Sequence, residues 1–336
     1  MTIYTGVADA NGDFTVPFST NYTSGQKVTV TAEKDGATKS IELFAPSGVT
    51  GGGVIQFSGN MSNFPNNIGD VTLTDVISGG IGTYAFHSGN TGTLWAKATG
   101  LTLLGAVSSI GDYAFQNWVN ATSLSLPASL TTVGNSAFSG WSKCLSLILG
   151  SNITSLSTNS FRFWSAATSI VFNANVSNIP TQCFQGWSKC AELNLGGTPI
   201  TAISDYSFAD WGLAIALVLP PNLLTIDVGA FSNWTSCLEL LIPNSVTSIA
   251  TQAFYNWTAC KKVTLGTSLA SIASDALRNS TACDELICLR STPPTLASTA
   301  LTGLKSTCVI KVPAASLAAY QAATNWSAHA SKMVGI

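Results

Sequence analysis

Large apolar residues recur along this chain at a nearly constant spacing of 23 residues. One position in each repeat holds such a residue: Phe86, Phe115, Phe138, Phe161, Phe184, Phe208, Phe231, Phe254, Leu277 and Leu301. The first interval is longer because six residues are inserted near the segment HSGNTG, which begins at His87. A short repeat cannot bury its own apolar face, whereas stacked repeats can. The spacing therefore predicts a repeat solenoid of about nine repeats over residues 86–300.

Other positions of the repeat follow the same register. Ala or Cys comes six positions after the phenylalanine, and an apolar pair such as Leu240 and Ile242 comes nine and eleven positions after it. This alternation predicts one short strand per repeat, and stacking would pair the strands in a parallel sheet about 4.8 Å apart. Tryptophan comes three positions after the phenylalanine once the insertion is allowed for: Trp95, Trp118, Trp141, Trp164, Trp187, Trp211, Trp234 and Trp257.

The pattern AFxxWxxCxxLxLPxSLTSI, as in VSSIGDYAFQNW and IPNSVTSIATQAFYNW, resembles the BspA-like leucine-rich repeats of bacterial surface proteins. The closing segment VPAASLAAYQAATNWSAHASKMVGI is similar to the terminal strand and helix of that family. The resemblance covers about residues 70–336 and implies a leucine-rich-repeat stack that presents a surface for binding. In one respect the chain departs from the family: the family's Cys position holds Trp here, and its following Leu position holds Ala or Cys.

That exchange favours a buried tryptophan column, because a larger residue beside a smaller one keeps the volume of a core nearly constant. The alternative is an exposed aromatic ladder on which sugars stack. Most cysteines occupy positions that hold Ala in other repeats, and we predict that they are buried free thiols. Neighbouring repeats could also allow a bridge among Cys237, Cys260 and Cys283.

The first 46 residues lack the repeat and are predicted to form a separate unit. The stretches YTGVADANGDFTVPF and QKVTVTAEKDGATKSIELF alternate like two hairpin-forming strand pairs. We predict a small all-β module for attachment or oligomerisation at 1–46, and this segment resembles the start of bacteriophage and prophage tail-fibre proteins. The predicted order continues with a Gly-rich linker at 47–53, an N-terminal capping region at 54–85, the repeats at 86–300 and a C-terminal cap at 301–336.

Composition and motifs argue against several classes of function. Charged residues make up 9% of the chain and the net charge is −2, so a nucleic-acid partner is not expected. The sequence has neither an apolar run long enough for membrane insertion nor the pattern of a secretory signal. Two histidines leave little for a catalytic pair or a zinc site, and no cofactor motif occurs. We expect no enzyme activity, no metal and no cofactor.

One acidic pattern could still support catalysis. Glu192, Glu239 and Glu285 share one strand position on every second repeat, which would place their Cα atoms about 9–10 Å apart. That spacing is near the upper end of the carboxylate separation in inverting glycosidases. The favoured interpretation is a solvated ladder of charges.

The outward strand positions are the candidate binding face. If the apolar pair points inward, then the residues before and between its members point outward. The position between them holds Ser125, Ile148, Val171, Asn194, Val218, Leu241, Thr264 and Ile287. Aliphatics flanked by polar residues on a sheet often mark a partner site, although another part of the chain could cover them. The predicted ligand-binding residues are Ile148, Val171, Glu192, Asn194, Val218, Glu239 and Leu241, with the inserted HSGNTG segment as a competing site.

Three functions follow from these observations. The first hypothesis is a phage tail-fibre or receptor-binding protein, assembled in the bacterial cytoplasm and carried on the virion. Its partners would be a host cell-surface glycan or protein and, through residues 1–46, other virion tail proteins; a homo-oligomer is expected. The alternative is an extracellular or cell-surface adhesin of the BspA-like kind. The third is a polysaccharide-degrading enzyme that uses the outward glutamates.

Overall fold

The computed structural model describes residues 69–74, 79–88 and 95–336, together with the strand backbones at 14–17, 27–34, 37–44 and 54–57. The predicted linker at 47–53 and residues 89–92 of the inserted segment lie outside the described residues. The chain divides into two compact units, residues 1–167 and 168–336.

In the first unit, the repeats build two parallel sheets. The described strands are β1 (Phe14–Pro17), β2 (Lys27–Lys34), β3 (Ala37–Phe44), β4 (Val54–Phe57), β5 (Gly69–Thr74), β6 (Gly79–Ile81), β7 (Ala98–Leu103), β8 (Val107–Ile110), β9 (Ser123–Ser125), β10 (Thr132–Val133), β11 (Ser146–Leu149) and β12 (Ser155–Leu156). A short 3₁₀ helix, Trp95–Lys97, precedes β7. Strands β5, β7 and β9 pair in parallel in one sheet, and β6, β8, β10 and β12 do so in the other.

Near the N-terminus, the first sheet reaches beyond the repeats. β2 and β3 form an antiparallel pair where the sequence predicts the second hairpin. β1 lies in the first predicted hairpin stretch, yet it pairs with β4, which in turn pairs antiparallel with β5. Part of the predicted attachment module therefore shares a sheet with the predicted capping region and the first repeats.

In the second unit, the repeats again carry two sets of parallel strands, and the C-terminal cap follows them in the sequence. The described elements are β13 (Ser169–Phe172), β14 (Asn178–Ile179), β15 (Glu192–Asn194), β16 (Ala202–Ile203), β17 (Ala216–Val218), β18 (Thr225–Ile226), β19 (Glu239–Leu241), β20 (Ser248–Ile249), β21 (Lys262–Leu265), β22 (Ser271–Ile272), β23 (Glu285–Cys288), β24 (Thr295–Leu296), β25 (Val309–Val312), α1 (Leu317–Ala322) and β26 (Met333–Gly335). Two 3₁₀ helices, Ala314–Ser316 and Ser327–Lys332, flank α1. The even-numbered strands from β14 to β24 form one parallel sheet. On the other side of each repeat, β15 pairs with β17, and β19, β21, β23, β25 and β26 form a five-stranded sheet.

The phenylalanine and tryptophan columns form the core of each unit. In the second unit the Phe208 and Phe231 rings stack with centroids 5.5 Å apart, and the Trp211 and Trp234 rings stack at 5.4 Å. The column tryptophans from 118 to 257 are fully buried, so the prediction of a core column is confirmed and the exposed sugar ladder is wrong. Stacking and edge-to-face contacts of this kind add stability beyond the burial of apolar area.

Six of the buried column indoles donate a hydrogen bond to a backbone carbonyl. Trp234 Nε1 donates to the carbonyl of Phe208 at 2.7 Å, and Trp257 Nε1 donates to the carbonyl of Phe231 at 2.7 Å. Trp118 and Trp141 in the first unit repeat the arrangement with the carbonyls of Phe86 and Phe115. A buried N–H or carbonyl without a partner costs stability. These bonds between indole N–H groups and phenylalanine carbonyls therefore allow tryptophan to occupy the core.

The second unit also carries a ladder of side-chain amides beside the phenylalanine column. Asp210, Asn233, Asn256 and Asn279 all have left-handed backbone angles, with φ of 63–66°. The Nδ2 atoms of Asn233, Asn256 and Asn279 donate to the side-chain oxygen of the preceding residue in the ladder at 2.7, 2.9 and 2.7 Å. Asn and Asp tolerate this conformation better than other non-glycine residues, so the turn and the ladder favour the same residue types.

The C-terminal segment covers the end of the second unit. Trp326 is fully buried and its Nε1 donates to the carbonyl of Pro294 at 2.8 Å. Tyr320 is also buried, and its hydroxyl donates to the carbonyl of Arg290 at 2.8 Å. The two carbonyls lie at the end of the stack, where no further repeat follows to bond them, and the side chains of the C-terminal segment take that place.

Candidate functional site

The predicted outward residues lie on strands and face solvent. Ile148 on β11 is 63% exposed, and in the second unit Val171, Val218 and Leu241 are 47%, 48% and 60% exposed. No described part of the chain covers these four side chains. Ile148 belongs to the first unit and the other three to the second.

Two predicted members of the outward column are less accessible. Thr264 and Ile287 are only partly exposed. Ile287 pairs in register with Lys311, whose Nζ reaches Glu285 at 2.6 Å. Long lysine stems cover apolar surface while their charged ends stay in water, which accounts for the reduced exposure at this end of the face.

The structure adds a second set of exposed aliphatics that the sequence interpretation missed. Leu213, Ile215 and Leu238 are 58%, 57% and 52% exposed. They lie in the turn before β17 or β19, on the same two repeats as Val218 and Leu241. The backbone amide of Leu238 donates to the carbonyl of Ile215 at 3.5 Å, so these repeats are adjacent. We call these five residues, Leu213, Ile215, Val218, Leu238 and Leu241, the aliphatic cluster.

Polar residues border the aliphatic cluster on the preceding repeat. Glu192 and Asn194 on β15 are exposed and pair in register with Ala216 and Val218 on β17. The Oδ1 atom of Asn194 accepts a hydrogen bond from the Gly196 amide at 2.9 Å, which fixes this side chain close to the strand. The predicted site residues Glu192, Asn194 and Val218 therefore lie on one continuous strand face.

On the second repeat of the aliphatic cluster, the acidic side chain is neutralised by a lysine of the following repeat. Glu239 forms an ion pair with Lys262 at 2.9 Å, and this hydrogen bond raises the pKa of Lys262 above its ordinary value. Glu285 forms the corresponding pair with Lys311. Two of the three glutamates considered for sugar hydrolysis thus belong to the alternating charge ladder that the sequence favoured.

The cysteines lie in the core rather than on this face. All eight are buried. Burial raises the pKa of Cys144 and Cys190 to about 11 and that of Cys260 to about 12. These thiols are therefore protonated at neutral pH, a state that suits neither a nucleophile nor a metal ligand.

The fold defines a leucine-rich-repeat protein with two short strands per repeat. The chain belongs to the family described as the BspA type leucine rich repeat region, whose copies match residues 80–214 and 201–298. None of the curated proteins matches the chain. In the described part of the chain, none of the helices has the combined length and apolar character needed to cross a bilayer.

Solved structures with a similar fold come from several bacteria. A leucine-rich repeat protein from Bacteroides ovatus has a TM-score of 0.52 and 15% identity, covering 94% of this chain and 82% of that one. A leucine-rich repeat protein from Eubacterium ventriosum has a TM-score of 0.40 and 16% identity, covering 86% and 80%. A leucine rich cell surface protein from Faecalibacterium prausnitzii has a TM-score of 0.35 and 13% identity, covering 70% and 93%. The first of these supports the fold.

Proposed function

We propose that this chain is a non-catalytic adhesin of the cell surface, which binds a protein partner through the outward strand face of its second unit. The observation that carries the proposal is the aliphatic cluster, five exposed large side chains on two adjacent repeats. Glu192 and Asn194 would supply polar contacts at its edge.

Physical chemistry favours this face as a recognition surface. Contiguous exposed aliphatics are uncommon on soluble proteins unless a partner covers them. Burying one such side chain contributes about 1.5–3 kcal/mol. The side chains project from hydrogen-bonded, stacked repeats, so little conformational entropy is lost when a partner docks.

A protein suits this face better than a glycan. Sugars are commonly held by exposed aromatic rings, and the column tryptophans, which could have supplied them, are buried. The exposed residues of the cluster are aliphatic, and aliphatic surface is typical of the centre of a protein interface.

The adhesin interpretation is better supported than the tail-fibre interpretation. The family match covers the repeats, and BspA-type repeats resemble those of bacterial surface proteins. The tail-fibre interpretation depends on residues 1–46, of which only strand backbones are described, and no comparison supports it. An outer-surface location follows from the adhesin interpretation.

Adhesion of coated beads tests the proposal. Beads carrying the full chain would be mixed with a panel of bacterial and animal cells, either untreated or treated with trypsin or with periodate. We expect binding to at least one cell type, lost after trypsin and kept after periodate. Loss after periodate alone would indicate a glycan, and binding confined to one bacterial host would favour the tail-fibre interpretation.

Paired lysine substitutions locate the site. The double variant Val218→Lys and Leu241→Lys should reduce adhesion at least about tenfold, because the partner would have to bury two charged side chains in place of two aliphatic ones. Both side chains are about half exposed or more, so the melting temperature should stay nearly unchanged. Ser125→Lys, an exposed position of the same column in the first unit, is the matched control. Wild-type adhesion by the folded double variant would contradict the proposed site.

A further inference from the structure

The thiol of Cys308 differs in its contacts from the thiols of the cysteine column. The thiols of Cys237, Cys260 and Cys283 each contact the carbonyl two residues further along, at 3.5, 3.3 and 3.2 Å. Cys308 lies in the C-terminal cap, and its Sγ atom is 3.8 Å from the Sγ atom of Cys283. Both residues are buried, with exposures of 2% and 0%.

The backbone places this pair on adjacent repeats. Cys283 and Cys308 come just before β23 and β25, which are paired in parallel with Glu285 opposite Val309, so the two cysteines are offset by one residue along the strands. With adjacent strands about 4.8 Å apart and an offset of one residue, about 3.3 Å along the strand, the two Cα atoms lie roughly 6 Å apart, which a disulfide spans. Small side-chain rotations would therefore bring the two sulfurs to bonding distance.

We propose that Cys283 and Cys308 form an intrachain disulfide when the chain folds in an oxidising medium, joining the last repeats to the C-terminal cap. Such a medium is found outside the cell and not in the cytoplasm. The inference does not depend on the aliphatic cluster or on any binding partner.

The chemistry is thiol–disulfide exchange with a small disulfide such as oxidised glutathione. The Cys308 thiolate attacks one glutathione sulfur, and the first glutathione thiolate leaves and takes up a proton. Cys283 then loses its proton to solvent and attacks Cys308 Sγ, which releases the second glutathione thiol. Two protein thiols are oxidised to one disulfide, and one oxidised glutathione is reduced to two thiols.

The local environment favours Cys308 as the attacking group. Its contact with Cys283, followed by the positive charge of Lys332, lowers the pKa of Cys308 below its ordinary value. The same contact, together with burial, raises the pKa of Cys283. Because both sulfurs are buried, exchange is expected while the cap folds or when it opens locally.

Refolding in a glutathione buffer tests the inference. The reduced full chain would be unfolded in urea, refolded with reduced and oxidised glutathione, and alkylated after denaturation. We expect six of the eight cysteines to be alkylated. Trypsin leaves Cys283 and Cys288 in one peptide, so cleavage before Asp284 is needed to assign the bridge to Cys283 and Cys308.

Alanine variants serve as controls. Cys283→Ala and Cys308→Ala should abolish the bridge, whereas Cys288→Ala should keep it. The position of Cys283 holds Ala121, Ala167 or Ala214 in other repeats, so that variant is expected to fold. The bridge should slow proteolysis of the cap on the order of 100-fold, reversibly with dithiothreitol. Eight alkylated cysteines, a stable glutathione adduct or a bridge to another cysteine would overturn the inference.

Discussion

Replacing Trp234 by alanine tests the core of the second unit. Trp234 is fully buried and stacks between Trp211 and Trp257, with ring centroids 5.4 and 5.7 Å away. Trp234→Ala removes this volume and should lower the free energy of unfolding by about 3–5 kcal/mol. Part of the loss comes from the Phe208 carbonyl, which accepts the indole N–H and would remain buried without it.

A second variant separates these two causes. Trp234→Phe keeps an aromatic ring and removes the donor, so it should cost about 1–3 kcal/mol. Thr235→Ala, an exposed change in the same repeat, should stay within about 0.5 kcal/mol. Urea unfolding followed by circular dichroism measures all three variants. A loss below about 1 kcal/mol for Trp234→Ala, or equal losses for Ala and Phe, would refute the reasoning.

Three further predictions concern the cap, a partly buried carboxylate and the N-terminus. Trp326→Ala should release the C-terminal cap, so amide hydrogen exchange should speed up around Pro294 before the other repeats open. Burial, and next the negative charge of Asp205, raise the pKa of Asp227 in the folded chain. Ionisation of Asp227 therefore costs more in the folded than in the unfolded state, and the free energy of unfolding falls as the pH rises above the usual Asp range. Asp227→Asn should therefore be more stable than wild type at pH 7 in urea titrations, with the advantage gone near pH 3. A chain lacking residues 1–46 should still melt cooperatively but lose its oligomers by light scattering; an unchanged oligomeric state would contradict this role.

Much of the fold could be predicted because the core repeats in sequence as well as in space. The Phe and Trp columns share one period, and strands such as β19 and β21 carry the alternation that marks a sheet with one buried face. The sheet that contains the even-numbered strands of the repeats in each unit was missed. Its strands such as β10 and β18 have only two residues, which is too short for an alternating pattern. The amide ladder was missed because its members take left-handed angles that their spacing does not reveal.

The candidate site could be predicted in part. Val218 and Leu241 followed from strand alternation, which fixes the face to which a side chain points. Leu213, Ile215 and Leu238 did not, because they lie where the chain turns and alternation no longer applies. Their exposure depends on the turn geometry, and it makes the aliphatic cluster larger than the single column that the sequence indicated.

Photo-crosslinking from the proposed face tests the central claim most directly. p-Benzoylphenylalanine would replace Leu241 in the aliphatic cluster. As a control it would replace Ala270, an exposed residue directly before β22, in the sheet of the even-numbered strands of the same unit. Each variant would be irradiated while bound to the cells that the coated beads recognise. We expect a protein adduct from position 241 and little or none from position 270. An adduct from position 270 alone would contradict the proposed site and place recognition on the opposite strands.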